Sequence, residues 1–74
     1  MITVSKEEML KTKVQLLKDM HNYIINKIDD ENAYYVWIEN GVPDEPTEED
    51  FEYIAENDWI SIVEFFGRLV MNYR

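Results

Sequence analysis

The chain has 74 residues, of which 46% are hydrophobic and 14% aromatic, with no cysteine and a formal net charge of −9. That length holds one domain with a small core, and the apolar content is too high for a disordered acidic tail, which stays unfolded for want of surface to bury. Lack of cysteine excludes disulfide staples and thiolate-held zinc or iron–sulfur clusters, and so negative a molecule is repelled by nucleic-acid phosphates and anionic lipid.

Ser5 and Glu8 have the spacing of a capping box, so a helix is predicted over residues 5–28. Its apolar stripe is Leu10, Val14, Leu17, His21, Ile24 and Ile28, widened on one side by Met9, Leu16, Met20 and Tyr23. One neighbouring helix does not cover so wide an arc, which calls for two neighbours or a partner. Asp29 and Asp30 can cap a second helix over 31–39. The run Ala33 to Ile38 suits a strand by composition, but it does not alternate, and Asn40-Gly41 ends it as a helix ends. Val42-Pro43-Asp44-Glu45-Pro46 is a stiff linker.

Thr47 and Asp50 repeat the capping arrangement and open a third helix over 47–57, with Phe51, Ile54 and Ala55 on its apolar side. The last helix, 59–73, is patterned by Ile62, Phe66, Leu69 and Tyr73. Gly67 in its interior costs about 1 kcal/mol relative to Ala, and close approach of another helix is the expected return. The predicted fold is a single all-α domain of residues 1–74, a bundle of three to four helices with the first and last packed against each other.

No residue pattern points to catalysis. The lone His21 lies within an apolar stripe without converging partners, Ser5 is occupied as a cap, and Ser61 has no glycine elbow or nearby base. The two glycines, 41 and 67, are too far apart for a phosphate loop. The acids between Asp44 and Asp50 lack the alternation and central glycine of a calcium loop. A non-enzymatic protein with no cofactor and no metal is expected. The N-terminus carries no basic-then-apolar leader and no stretch is long enough to span a bilayer, so the expected location is the cytoplasm, with no membrane partner.

The charge is unevenly placed. Residues 29–58 hold twelve carboxylates and no Lys or Arg, and eight of the twelve lie between Asp44 and Asp58. A fully helical segment of that composition would carry one charge per roughly 2.8 Å, within a factor of two of the roughly 1.7 Å per charge of duplex DNA. Solubility is the ordinary use of such a run. Here the acids are not interleaved with lysines, and aromatics that anchor interfaces lie among them. Asp44, Glu45, Glu48, Glu49, Asp50, Glu52 and Glu56 are therefore the candidate source of the field, with Tyr35, Trp37 and Tyr53 as contact anchors.

In size, charge, lack of cysteine and aromatic content the chain resembles the small acidic inhibitors encoded by phages and mobile elements. Anti-CRISPR and DNA-mimic proteins are among these, and they occupy the nucleic-acid groove of a host enzyme. The resemblance is one of general character over the whole chain; no single-family motif carries it, and it assigns no residue roles. It implies a module that binds a basic protein surface, such as that of a nucleic-acid-binding protein, and inhibits or regulates its owner without touching nucleic acid itself. The alternative is an obligate helical homodimer or accessory subunit whose acids only solubilise it.

Overall fold

A computed structural model describes residues 5–73. Helix α1 spans Lys6–Tyr23 and runs into a single wider π-turn, Ile24–Ile28; α2 spans Glu31–Glu39, α3 Glu48–Asn57 and α4 Trp59–Asn72. There is no strand among the described residues, so the chain is a small all-α bundle whose helix limits match the predicted ones closely.

Three of the four helix starts have a side-chain cap, and α4, which follows α3 directly at Asp58, has none. The Ser5 hydroxyl accepts from the Glu8 N–H at 3.2 Å, and the Asp30 carboxylate accepts from Asn32 N–H at 2.8 Å and Ala33 N–H at 3.4 Å. At α3 both halves of a capping box are made: Thr47 Oγ1 accepts from Asp50 N–H, and the Asp50 carboxylate accepts from Thr47 N–H at 2.9 Å. These bonds satisfy donors that a helix start leaves without partners. The break between α1 and α2 falls at Asp29, whose backbone is left-handed (φ 49°) and whose N–H donates to Ile24 O across the π-turn. Gly41, at φ 114°, turns the chain out of α2.

Trp37 is the centre of the core. It is fully buried, its indole N–H donates to His21 Nδ1 at 3.1 Å, Phe65 stacks on it at 6.2 Å between ring centres, and Phe66 meets it edge-on at 5.7 Å. One side chain of α2 therefore joins α1 and α4. Val14, Leu17 and Ile24 fill the space beneath it from α1 and the π-turn, Phe51, Ile54 and Ala55 from α3, and Ile62 and Leu69 from α4. Val42 is buried as well and pins the proline linker to the core.

Two expectations are corrected. The principal neighbour of α1 is α3, not α4, because the linker returns α3 alongside the Val14–Leu17–His21 stripe. Helix α4 packs on α3 and α2 and meets α1 at Tyr23–Phe66, 5.9 Å between rings, and where Lys13 Nζ lies 5.4 Å from the Trp59 ring. Gly67, expected where a helix comes close, instead faces open space: beyond the adjoining backbone of its own helix, a Cβ built there meets no heavy atom within 4 Å.

Gly67 thus costs the monomer helix propensity with no packing return. Gly67→Ala should stabilise the monomer by about 0.5–1 kcal/mol, read as a higher urea midpoint at unchanged slope in dilute protein.

Candidate functional site

The twelve-acid run is folded back on itself by α2. Its first members, Asp29, Asp30 and Glu31, come to line one open cleft of about 560 Å³ together with Asp44 and Glu45 from the far end of the linker. His21, Ile24, Ile25 and Tyr34 complete the lining. Five carboxylates from two separate stretches thus share one concavity.

Within the cleft, the Tyr34 hydroxyl donates to the Asp44 carboxylate. This bond, followed by desolvation and the Asp44 charge, holds the phenol above its ordinary range. Glu45 has a left-handed backbone (φ 52°), which a side chain rarely adopts, and it sits between Asp44 and Pro46 at the cleft edge. His21 is buried at the cleft floor. Because an indole nitrogen can only donate, Trp37 fixes His21 Nδ1 as the acceptor and leaves the neutral ring's proton on Nε2. Burial lowers the His21 pKa from its ordinary 6.5, and the Asp44 charge opposes that shift in part.

Beyond the cleft the acids continue along α3. Phe51, Ile54 and Ala55 face the core, so Glu48, Glu52 and Glu56 form an exposed row at four-residue spacing, with Glu49 and Tyr53 beside it. Like charges at that spacing repel. Among the described residues only two ion pairs occur: Lys18 with Glu48, both ends partly exposed, and Glu64 with Arg68 at 4.0 Å. Eleven of the twelve acids between Asp29 and Asp58 therefore have no cation within pairing distance among those residues. Some have other work: Asp30 caps α2, Asp50 closes the box of α3, and Asp44 holds Tyr34.

Not every predicted site residue lies where the sequence put it. Glu45, Glu48, Glu49, Glu52 and Glu56 are exposed, and the anchors Tyr35 and Tyr53 are 50% and 64% exposed. Trp37 is not an anchor: at 0% exposure it is the core, and no partner reaches it. Asp44 and Glu45 lie in the linker, not on a continuous acidic helix, because Pro43 and Pro46 keep the chain out of helix, with a bend at Asp44 and Glu45, until Thr47 caps α3. Sequence reasoning missed the contribution of Asp29, Asp30 and Glu31, which the stiff return of the linker signalled only indirectly. No three His, Asp or Glu side chains among the described residues are grouped to hold a metal ion. No described helix is long and apolar enough to cross a membrane. No family model matches the chain, nor does any curated protein or solved structure.

Because the folded pKa of His21 is depressed, the unfolded chain binds the extra proton between the two values, so stability rises with pH there. His21's contribution should be complete above pH 6.5 and be lost as pH falls through its lowered folded pKa. Urea titrations at pH values between about 7.5 and 5, above the main carboxylate range, should show that slope in the wild type and a flatter one in His21→Gln. The unpaired acids should make melting temperature rise by a few degrees as sodium chloride goes from about 20 to about 300 mM, where the screening length falls below about 10 Å; calorimetry at constant pH reads it.

Proposed function

We propose that this chain is a non-enzymatic protein-binding module whose acidic face engages a basic surface of a partner protein and so inhibits or regulates it. The observation that carries the reading is the unpaired state of the acids. Eleven carboxylates with no cation in pairing distance among the described residues repel one another, and a partner bearing Lys or Arg would relieve that repulsion on binding.

The two parts of the face suit different features of such a partner. The cleft between Asp29–Glu31 and Asp44–Glu45 is wide enough to receive an arginine or lysine side chain, where carboxylates accept from a guanidinium or ammonium head. The row Glu48, Glu52 and Glu56 extends the field along α3, and the exposed rings of Tyr53 and Tyr35 supply apolar contact area beside it. A surface that binds nucleic acid is basic, extended and already shaped to take a line of negative charge, so a nucleic-acid-binding protein is the favoured class of owner. The charge pattern supports competition with nucleic acid as the mode of inhibition. The resemblance to phage and mobile-element inhibitors of DNA-mimic and anti-CRISPR type agrees with it in size and charge alone.

The test separates position from net charge. Glu45, Glu49, Glu52 and Glu56 hold no structural bond, so their replacement by Gln should leave the fold intact; the control neutralises Glu7, Glu8, Asp19 and Glu64, four acids elsewhere. With a fluorescent arginine-rich peptide as probe, wild-type binding should weaken steeply between about 50 and 300 mM salt. The first variant should lose at least about tenfold in affinity, or about 1.4 kcal/mol, and the control far less. Equal losses in both would reduce the face to bulk charge. The same variant pair, used as bait in a pull-down from host lysate, identifies the partner as the protein retained by the control and lost by the first variant.

A further inference from the structure

Helix α4 carries more apolar surface than the bundle covers. Ile62 and Leu69 point into the core, while on the other side Ile60 is 74% exposed, Met71 70% and Val63 36%. With Gly67 among them, these positions recur at three- and four-residue spacing and form a second apolar stripe on the same helix. Helix α1 runs beside α4 in the same direction, since Lys13 meets Trp59 and Tyr23 meets Phe66 further along both. It adds half-exposed Tyr23 and, two turns earlier on the same face of α1, Leu16.

We propose that this face binds a second copy of the chain, with α4 crossing α4 antiparallel about a two-fold axis at Gly67. The first argument is the charge. All twelve acids of the unbroken run lie between residues 29 and 58, whereas residues 1–28 and 59–74 carry net charges of +2 and +1. Two molecules of −9 each meet with less repulsion through α1 and α4 than through the acidic run, whose Glu56 and Asp58 reach the face only at its Ile60 end.

The second argument is self-complementarity. An antiparallel crossing at Gly67 sets Val63 opposite Met71 of the second copy. It brings Glu64 within about 3 Å, measured along the helix axis, of level with Arg68 of the second copy. Glu64 and Arg68 are both well exposed, and their ion pair within one chain is long, at 4.0 Å, so both can exchange it for a pair across the axis. A parallel crossing would set Glu64 level with Glu64 and Arg68 level with Arg68 on opposite sides of the seam, and would make no such pair. The bare Cα of Gly67, costly in a lone helix and unused by the bundle, is what lets two helix axes approach closely at that point.

The third argument is area. Helix α4 is about 21 Å long, and two helices side by side are about 20 Å wide, a projected area of about 400 Å². A standard interface takes about 800 Å² of accessible surface from each partner. This face therefore suits a small, reversible dimer in which concentration decides occupancy.

Sedimentation equilibrium on the full chain from about 5 to about 500 µM, a range that brackets weak association, should show a monomer–dimer equilibrium that tightens as salt is added. Gly67→Gln, which adds no charge and fills open space, should keep the helical circular dichroism and weaken association at least tenfold; Met71→Gln is the second variant should the first misfold. Since the chain has no cysteine, Gly67→Cys reads the register directly, because a disulfide needs Cα atoms within about 7 Å. It should cross-link as a dimer, and Tyr53→Cys on α3 should not. A chain that stays monomeric over the whole range, a dimer indifferent to both glutamine variants, or cross-linking through Tyr53 in preference to Gly67 overturns the proposal. Binding to a basic partner weakens with salt while this dimer strengthens, so either proposal can fail without the other.

Discussion

The hydrogen bond from Trp37 to His21 holds the bundle's two halves in one arrangement. Trp37 is the largest fully buried side chain, and its indole nitrogen needs an acceptor once it leaves water. His21 supplies that acceptor from α1, while Phe65 and Phe66 of α4 cover the rest of the ring. A molecule this small has few core residues to spare, so the position of α2 between α1 and α4 depends heavily on this one side chain. The acidic cleft depends on it in turn. Helix α2 carries Glu31 and Tyr34 at one end and leads into the linker with Asp44 and Glu45 at the other, so fixing Trp37 fixes both walls.

The same bond couples core and charge. His21 is neutral with its proton on Nε2 only while Trp37 donates to Nδ1; a second proton would place two N–H groups face to face. The Asp44 charge favours that second proton electrostatically, and burial opposes it. Desolvation is the larger of the two. The core therefore tolerates an anionic cleft directly above it without drawing a proton into the tryptophan contact.

Much of the fold was legible because helix ends are written in local chemistry. Ser5, Asp30 and Thr47 each cap where their side chains predicted, and Asn40-Gly41 ends α2 with a glycine in positive φ. What a helix packs against is not local. The 3.6-residue period showed that α4 is apolar over a wide arc but not which part of the arc the bundle would use, so Gly67 was placed at an internal contact when it lies outside. Trp37 was misjudged for a related reason: among three successive aromatic positions, 34, 35 and 37, rotation about the helix axis decides which is core, and Ala33, four residues earlier and equally buried, was the signal that Trp37 shares its face. The cleft was invisible because it joins residues thirteen or more apart in sequence, Asp29–Glu31 with Asp44–Glu45, through a turn whose direction two prolines restrict without specifying.

The two unused surfaces of this molecule differ in physical kind and in position. One, spread over the cleft and α3, is charged, and its free energy of contact depends on a partner's cations and on ionic strength. The other, along α4 and the outer edge of α1, is apolar and nearly neutral, and its contact free energy depends on area removed from water. They adjoin where α3 passes into α4, since Glu56 and Asp58 line one concavity with Lys13, Trp59 and Ile60. An apolar stripe placed inside the acidic run would have to bring two sets of twelve carboxylates together in order to be buried. Keeping every unbroken acid in the middle of the sequence, and letting the first and last helices carry the small positive remainder, allows one face to be covered by association while the other stays open to a basic partner.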